Sequence, residues 1–244
     1  MGIAVVTGAS SGIGAAIAIA FAEAGWNVMA AGRDEGRLEE VGDVSDSIAI
    51  WLGELSESEE CDELIADTID EFGGIDCLIN CAGIFLRLDI ATTTDEEWRN
   101  TLAINLDVPF YLSRAALPHL QRTQGSIINI ASNGGLKASG QAAAYCVSKA
   151  GLVMLTKAMA VDTAADSIRF NAICPGGVDT PMLAAGAELA GQEVDEYLAE
   201  QAESSPNGRI STPEEVAGLT LFLASEAATQ ITGVAITIDG NESI

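Results

Sequence analysis

Short apolar runs recur along the chain, each ending in glycine or serine: "IAVVTG" from Ile3, "NVMAAG" from Asn27, "IAIWLG" from Ile48, "CLINCAG" from Cys77, "SIINIAS" from Ser126, "IRFNAICPG" from Ile168 and "VAITIDG" from Val234. Longer segments with helical periodicity separate them, at 13–24, 57–72, 95–121, 145–164 and 213–225. The runs are continuously apolar rather than alternating, as expected of strands buried on both faces of a parallel sheet. Strand and helix in alternation predict a doubly wound α/β fold with a parallel sheet of about seven strands. With 48% apolar residues over 244 positions, the pattern fits one domain spanning 1–244. Ligands in such folds collect at the carboxyl ends of the strands. The polar and glycine residues that close each run are therefore the candidates for chemistry.

Composition narrows the field by exclusion. The formal charge of −25, from 36 acidic and 11 basic residues, argues against nucleic acid and anionic membranes as partners. The acids are dispersed through foldable segments such as "LGELSESEECDEL", which reads as a solvated acidic surface. Such a surface repels itself at low ionic strength, so a salt-rich cytoplasm is the expected setting. No secretory signal and no bilayer-spanning run is read, since Glu23 interrupts the longest candidate, "IGAAIAIAFAEAG". The expected location is cytoplasmic. Five cysteines read as reduced core thiols, and with a single histidine, His119, no metal site is expected.

The first run leads into "TGASSGIG", with Gly8, Gly12 and Gly14 ahead of an apolar helix. Glycines there let the backbone approach a pyrophosphate, which the helix N-terminus favours through its free N–H groups and dipole. The second run ends "GRDEGR": Gly32 stands where an NAD enzyme offers a carboxylate to the ribose, and Arg33 follows. A guanidinium suits a 2′-phosphate, so NADP is preferred, with NAD the alternative. In "AAYCVSKAG", Tyr145 and Lys149 are four apart on one helical face. A phenol with a pKa near ~10 is a poor acid and base at neutral pH, and a neighbouring ammonium is expected to lower it.

Taken together, "TGASSGIG", "NCAG" at 80–83, "INL" around Asn105, "NIAS" ending at Ser132, "YCVSK" and "CPGGVDTPM" resemble, in order and spacing, the short-chain dehydrogenase/reductase family, from about residue 3 to 240. The resemblance implies a Rossmann fold and an oxidoreductase interconverting a secondary alcohol and a ketone. It implies a catalytic set of Asn105, Ser132, Tyr145 and Lys149, with Tyr145 the general acid/base, Ser132 a donor to the substrate oxygen, and Asn105 the support of a water leading from Lys149. It assigns dinucleotide contacts to Gly8, Ser10, Ser11, Gly12, Ile13, Gly14, Arg33, Glu54, Asn80, Ala82, Gly83, Pro175, Gly176, Val178 and Thr180, besides Tyr145 and Lys149. Three positions depart from the pattern: Glu54 replaces the usual aspartate before the adenine, Ser11 a basic residue common in NADP-preferring members, and Asn241 a second glycine. The resemblance further implies a small-molecule ketone or alcohol as substrate, a lid at about 181–208 bearing Met182, Leu183, Leu189 and Leu198, and a homotetramer. Two alternatives stand beside this reading: a 3-oxoacyl-carrier-protein reductase and a dinucleotide-binding member without turnover.

Overall fold

The computed structural model describes residues 2–243, with the side chain of Leu189 outside the described set. Seven strands, β1 (Ile3–Thr7), β2 (Asn27–Gly32), β3 (Ile48–Leu52), β4 (Cys77–Asn80), β5 (Ser126–Ile130), β6 (Arg169–Pro175) and β7 (Ala235–Ile238), form one parallel sheet in the order β3-β2-β1-β4-β5-β6-β7. The reversal between β1 and β4 opens the crevice at which such sheets bind ligands.

Strand alternation distributes each run between two cores. Ala4, Val6, Ala30, Ile79 and Ile128 face the layer of α1 (Gly12–Glu23) and α9 (Pro213–Ala224), where Ile17, Phe21, Val216 and Leu223 are fully buried. Val5, Met29, Leu78 and Ile127 face the opposite layer, meeting Leu64 of α3 (Ser58–Phe72) and Leu112 and Leu120 of α5 (Val108–Thr123). Burial on both faces explains why the five central runs carry no polar alternation; the edge strands β3 and β7 are partly exposed, with Ile50 and Leu52 on the open side.

Three elements differ from the sequence reading. A short helix, α2 (Glu35–Gly42), follows β2; it offers only Leu38 and Val41 to the core, too few for periodicity to reveal, and Asp34 caps it by accepting from the Arg37 amide at 3.2 Å. The single helix expected at 95–121 is divided into α4 (Asp95–Leu102) and α5 by a π-helical turn, Ala103–Asp107, closed by a bond from the Val108 amide to the Ala103 carbonyl. Pro109 has no N–H to give the Asn105 carbonyl, so the regular ladder cannot run through this point. The third difference concerns α6 (Ala143–Asp162): by length and composition it is apolar enough to cross a membrane, contrary to the expectation drawn from unbroken runs. It docks on the sheet through Leu152, Val153, Thr156 and Ala160, while Val147, Met154 and Val161 are exposed.

The segment expected to form the lid folds as two helices, α7 (Pro181–Ala190) and α8 (Val194–Ser204), packed on each other. Among the described residues Asp239 is the one buried acid, at 6% exposure.

Candidate active site

All the sequence-predicted site residues except Asn80 and Asn105 line one cleft of about 480 Å³ across the carboxyl ends of β1, β2, β4, β5 and β6. Its floor at one end is the glycine loop. Gly8 has φ +67°, a conformation that disfavours side chains, and a Cβ there would also lie 2.9 Å from the Ala82 Cα. A side chain on Gly14 would strike the Gly8 carbonyl oxygen. The loop therefore brings bare backbone up to the cleft, and α1 starts there with no acidic residue in its first turn. That cradle fits a dinucleotide pyrophosphate.

Thr7, which the sequence reading passed over, ties this loop to the turn after β4: its hydroxyl accepts from the amides of Cys81 at 3.0 Å and Ala82 at 3.1 Å. Only its place at the end of the strand motif signals it. Beyond β2, Gly32 abuts Ser10, whose Cβ would be 3.2 Å from one built on the glycine. Arg33 stands at the rim, its guanidinium 3.8 Å from the Glu54 carboxylate. Asp34, next to Arg33 in the chain, pairs with Arg37 at 3.5 Å.

At the other end Ser132 opens a 3-10 turn, its hydroxyl accepting from the Gly134 amide at 3.0 Å and donating to Asn133 Oδ1 at 3.4 Å. Tyr145, in the first turn of α6, stacks edge to face on Phe85 with ring centres 4.8 Å apart. Lys149 is 5% exposed; its Nζ donates to the Ile130 carbonyl at 2.9 Å and lies 5.9 Å from the centre of the Tyr145 ring.

The electrostatics correct one expectation. Burial pushes the Tyr145 phenol above its ordinary value, with the Ser132 hydroxyl opposing and the Cys146 and Cys174 thiols adding to the rise. Burial also pushes Lys149 down to about 8, against the pull of Cys81 and Cys174. In the chain alone burial outweighs any pull from Lys149, and the phenol stays above its ordinary value. The thiols of Cys81 and Cys174, pushed by burial up to about 12 and about 11, are poor nucleophiles.

Two predicted residues stand behind the cleft. Asn105, fully buried in the π-helical turn, accepts from the Ile84 amide at 2.8 Å and donates to the Ile84 carbonyl at 2.9 Å and to Ser148 Oγ at 3.0 Å. It clamps the segment after Gly83 to α6, so its place is that of a positioning residue. Asn80 belongs to β4, and strand alternation turns its side chain inward, where Nδ2 donates to Asn129 Oδ1 at 2.8 Å and to Ser113 Oγ at 3.4 Å. Its side chain does not reach the cleft, contrary to the expected cofactor contact. Of the lid residues, Met182 and Leu183 line the cleft and Leu198 does not; the side chain of Leu189 is outside the described residues. Among the described residues no cluster of three potential metal ligands occurs.

A family profile described as enoyl-(acyl carrier protein) reductase matches residues 8–240. The chain belongs to the short-chain dehydrogenase/reductase family. It is 38% identical over 248 residues to the D-beta-hydroxybutyrate dehydrogenase of Cupriavidus necator, covering 97% of this chain and 96% of that one. It is 36% identical to the L-fucose dehydrogenase of Mus musculus, covering 99% and 88%. Among solved structures, a variant of the actinorhodin polyketide ketoreductase with NADPH superposes at a TM-score of 0.94 with 31% identity, over 99% of this chain and 97% of that one. Membership makes this short-chain dehydrogenase/reductase an oxidoreductase of CH–OH and C=O groups that works with a nicotinamide dinucleotide.

Proposed function

We propose that this family member interconverts a secondary alcohol and a ketone, with Tyr145 as general acid/base and NADP(H) as the preferred dinucleotide. The observation that carries the reading is the meeting of Ser132, Tyr145 and Lys149 at one end of the cleft whose other end is the bare glycine loop. The nicotinamide supplies or accepts the hydride and, when oxidised, a positive charge. Ser132 donates to the substrate oxygen while charge develops on it. Tyr145 gives that oxygen its proton in reduction and removes it in oxidation. Its raised pKa keeps the phenol protonated ahead of reduction while weakening it as an acid, and as a base it needs the cofactor's positive charge in addition to Lys149. Lys149, held by Ile130, positions its ammonium for a ribose and for passing protons onward.

NADP is favoured by Gly32 and Arg33: no carboxylate occupies the end of β2, and a cation stands beside it. The substrate is a small ketone or alcohol. The profile's description favours a second reading, an acyl-carrier-protein reductase, but charge counts against it. An acidic carrier would meet a chain of net charge −25. Arg169 is buried with its guanidinium donating to the Leu223 and Ala224 carbonyls, and Arg209 is paired with Glu215 at 2.7 Å, so neither offers a free charge to such a carrier. The segment 181–208 is read as the lid over the substrate.

Tyr145→Phe tests the mechanism. Turnover is expected to fall by about a thousandfold or more, with dinucleotide affinity by fluorescence titration within about twofold of the parent. Turnover kept at the parent rate would remove Tyr145 from the acid/base role.

A further inference from the structure

Past Ser132 the cleft continues into a second cavity of about 330 Å³, and Asn133 and Ser139 line both. None of the motifs at the nucleotide end contributes to this cavity. Part of its wall is the C-terminal turn of the chain, through Asn241 and Glu242. That turn is wound tightly about Asp239, whose carboxylate accepts from the amides of Asn241 at 3.1 Å and Ser243 at 3.0 Å and from the Ser243 hydroxyl. Gly240 and Asn241, at φ +57° and +79°, take the left-handed conformations the turn needs.

The turn delivers the Glu242 carboxylate to a defined place. Its Oε2 accepts from Asn133 Nδ2 at 2.8 Å, and a Cβ on Gly176 would come within 2.9 Å of the same oxygen. Asn133 in turn accepts from the Ser132 hydroxyl, so the carboxylate is two hydrogen bonds from the group that holds the reacting oxygen. The cation lining this cavity, Lys137, donates to the main-chain oxygen of Glu242 at 2.9 Å and sits exposed at the rim. The substrate end therefore offers a carboxylate that can only accept, an ammonium at the rim that can only donate, a carboxamide that does both, and a serine hydroxyl.

We propose that Glu242 is a specificity-determining residue and that the substrate is neutral and multiply hydroxylated, an aldose or polyol whose hydroxyl groups donate to the Glu242 carboxylate and pair with Asn133 and Ser139. The inference rests on the oxidoreductase reading above and names its substrate class. A hydroxyl donates and accepts at once, which matches this mixture of groups. A substrate bearing its own carboxylate would set a like charge beside Glu242, with only the exposed Lys137, already donating to the Glu242 main chain, to offset it. A simple apolar alcohol would leave the acceptor without a donor, a mismatch that polar sites reject strongly.

The test uses the purified full chain with NADP+ and a panel of aldohexoses, 6-deoxyaldohexoses, pentitols, 3-hydroxybutyrate and 2-butanol, for the parent, Glu242→Gln, Glu242→Asp and Tyr145→Phe. The parent is expected to favour one aldose or polyol over 3-hydroxybutyrate and 2-butanol by about tenfold or more in kcat/KM. Glu242→Gln is expected to raise KM for that substrate about tenfold, with kcat and dinucleotide affinity within about twofold, and to improve 3-hydroxybutyrate. Glu242→Asp, which keeps the charge, should recover part of the lost affinity. Preference for 3-hydroxybutyrate or 2-butanol, or a Glu242→Gln effect equal on every substrate, would overturn the substrate class; loss of that activity in Tyr145→Phe would then leave the oxidoreductase reading standing. Silence on the whole panel with dinucleotide bound would count against both.

Discussion

At the ends of β2 and β3 the cleft presents Arg33 and Glu54, side chains 71% and 70% exposed and 3.8 Å apart. At the end of β5 it presents Lys149, 5% exposed, backed by Asn105 at 0%. The first pair meets through water, where an ion pair contributes at most about 1 kcal/mol and salt screens it. The second pair is held by short hydrogen bonds to Ile130, Ile84 and Ser148, whose polar groups have no water to fall back on. The buried end is thus anchored where rearrangement is expensive, while the proposed choice of dinucleotide rests on an exposed, screened pair. Substitutions at the two ends should differ in size and in salt dependence.

The largest effect is expected from Asn105→Ala. It leaves the half-buried Ile84 amide and carbonyl without their partner and takes one of two partners from the Ser148 hydroxyl, which keeps its bond to the Tyr145 carbonyl, a loss of about 3 kcal/mol. Thermal unfolding should fall by about 10 °C. Turnover should fall with it, about a hundredfold, because Ile84 and Phe85 lose the clamp that holds Phe85 against Tyr145. A melt within a degree or two of the parent would show that the clamp is not what fixes this end.

Next in size is a gain in stability. Burial holds Lys149 at about 8, below its ordinary value of 10.5. The unfolded chain then binds the proton more tightly than the folded one between those values, so this lysine's contribution to stability improves as pH rises from 8 to 10.5. Below 8 its penalty is present in full. Lys149→Met, inactive for chemistry, is expected to melt about 5 °C above the parent at pH 7, and the gap should close between pH 8 and 10.5. The thiols of Cys81 and Cys174, raised to about 12 and about 11, titrate above this range and are common to both proteins, so the difference reports the lysine. A gap constant with pH would contradict the burial cost.

How much of this was legible follows the range of the interaction. Tyr145 and Lys149 are one helical turn apart, and the glycine loop is contiguous, so local spacing reveals both. The five central runs predict the sheet because burial on both faces leaves no polar position to obscure them, and the edge runs stay apolar although Ile50 and Leu52 are exposed. Asn105 could be picked out as a residue but not aimed, since its direction depends on the π-helical turn that Pro109 imposes. Asn80 was misplaced for a similar reason: a motif names the asparagine, while the pleat of β4 decides where its side chain goes. The bond between Asn133 and Glu242 spans 109 positions, and no local pattern announces it. Nor does charge composition say that Arg33 pairs with Glu54 while Asp34 turns to Arg37.

The exposed end yields the smallest and most salt-sensitive effects. Arg33→Ala should reduce the preference for NADPH over NADH by about tenfold, through loss of charge-assisted bonds to the 2′-phosphate. Glu54→Gln is the sharper experiment. It frees the guanidinium from the carboxylate at 3.8 Å and removes a negative charge that faces the same phosphate. NADPH affinity should rise about threefold at low ionic strength, with NADH nearly unchanged. In molar KCl, where the screening length is about 3 Å, the gain should vanish. Persistence of the gain at molar salt would mean that Glu54 meets the dinucleotide by direct contact, and that the two ends of the cleft are less different than their exposure implies.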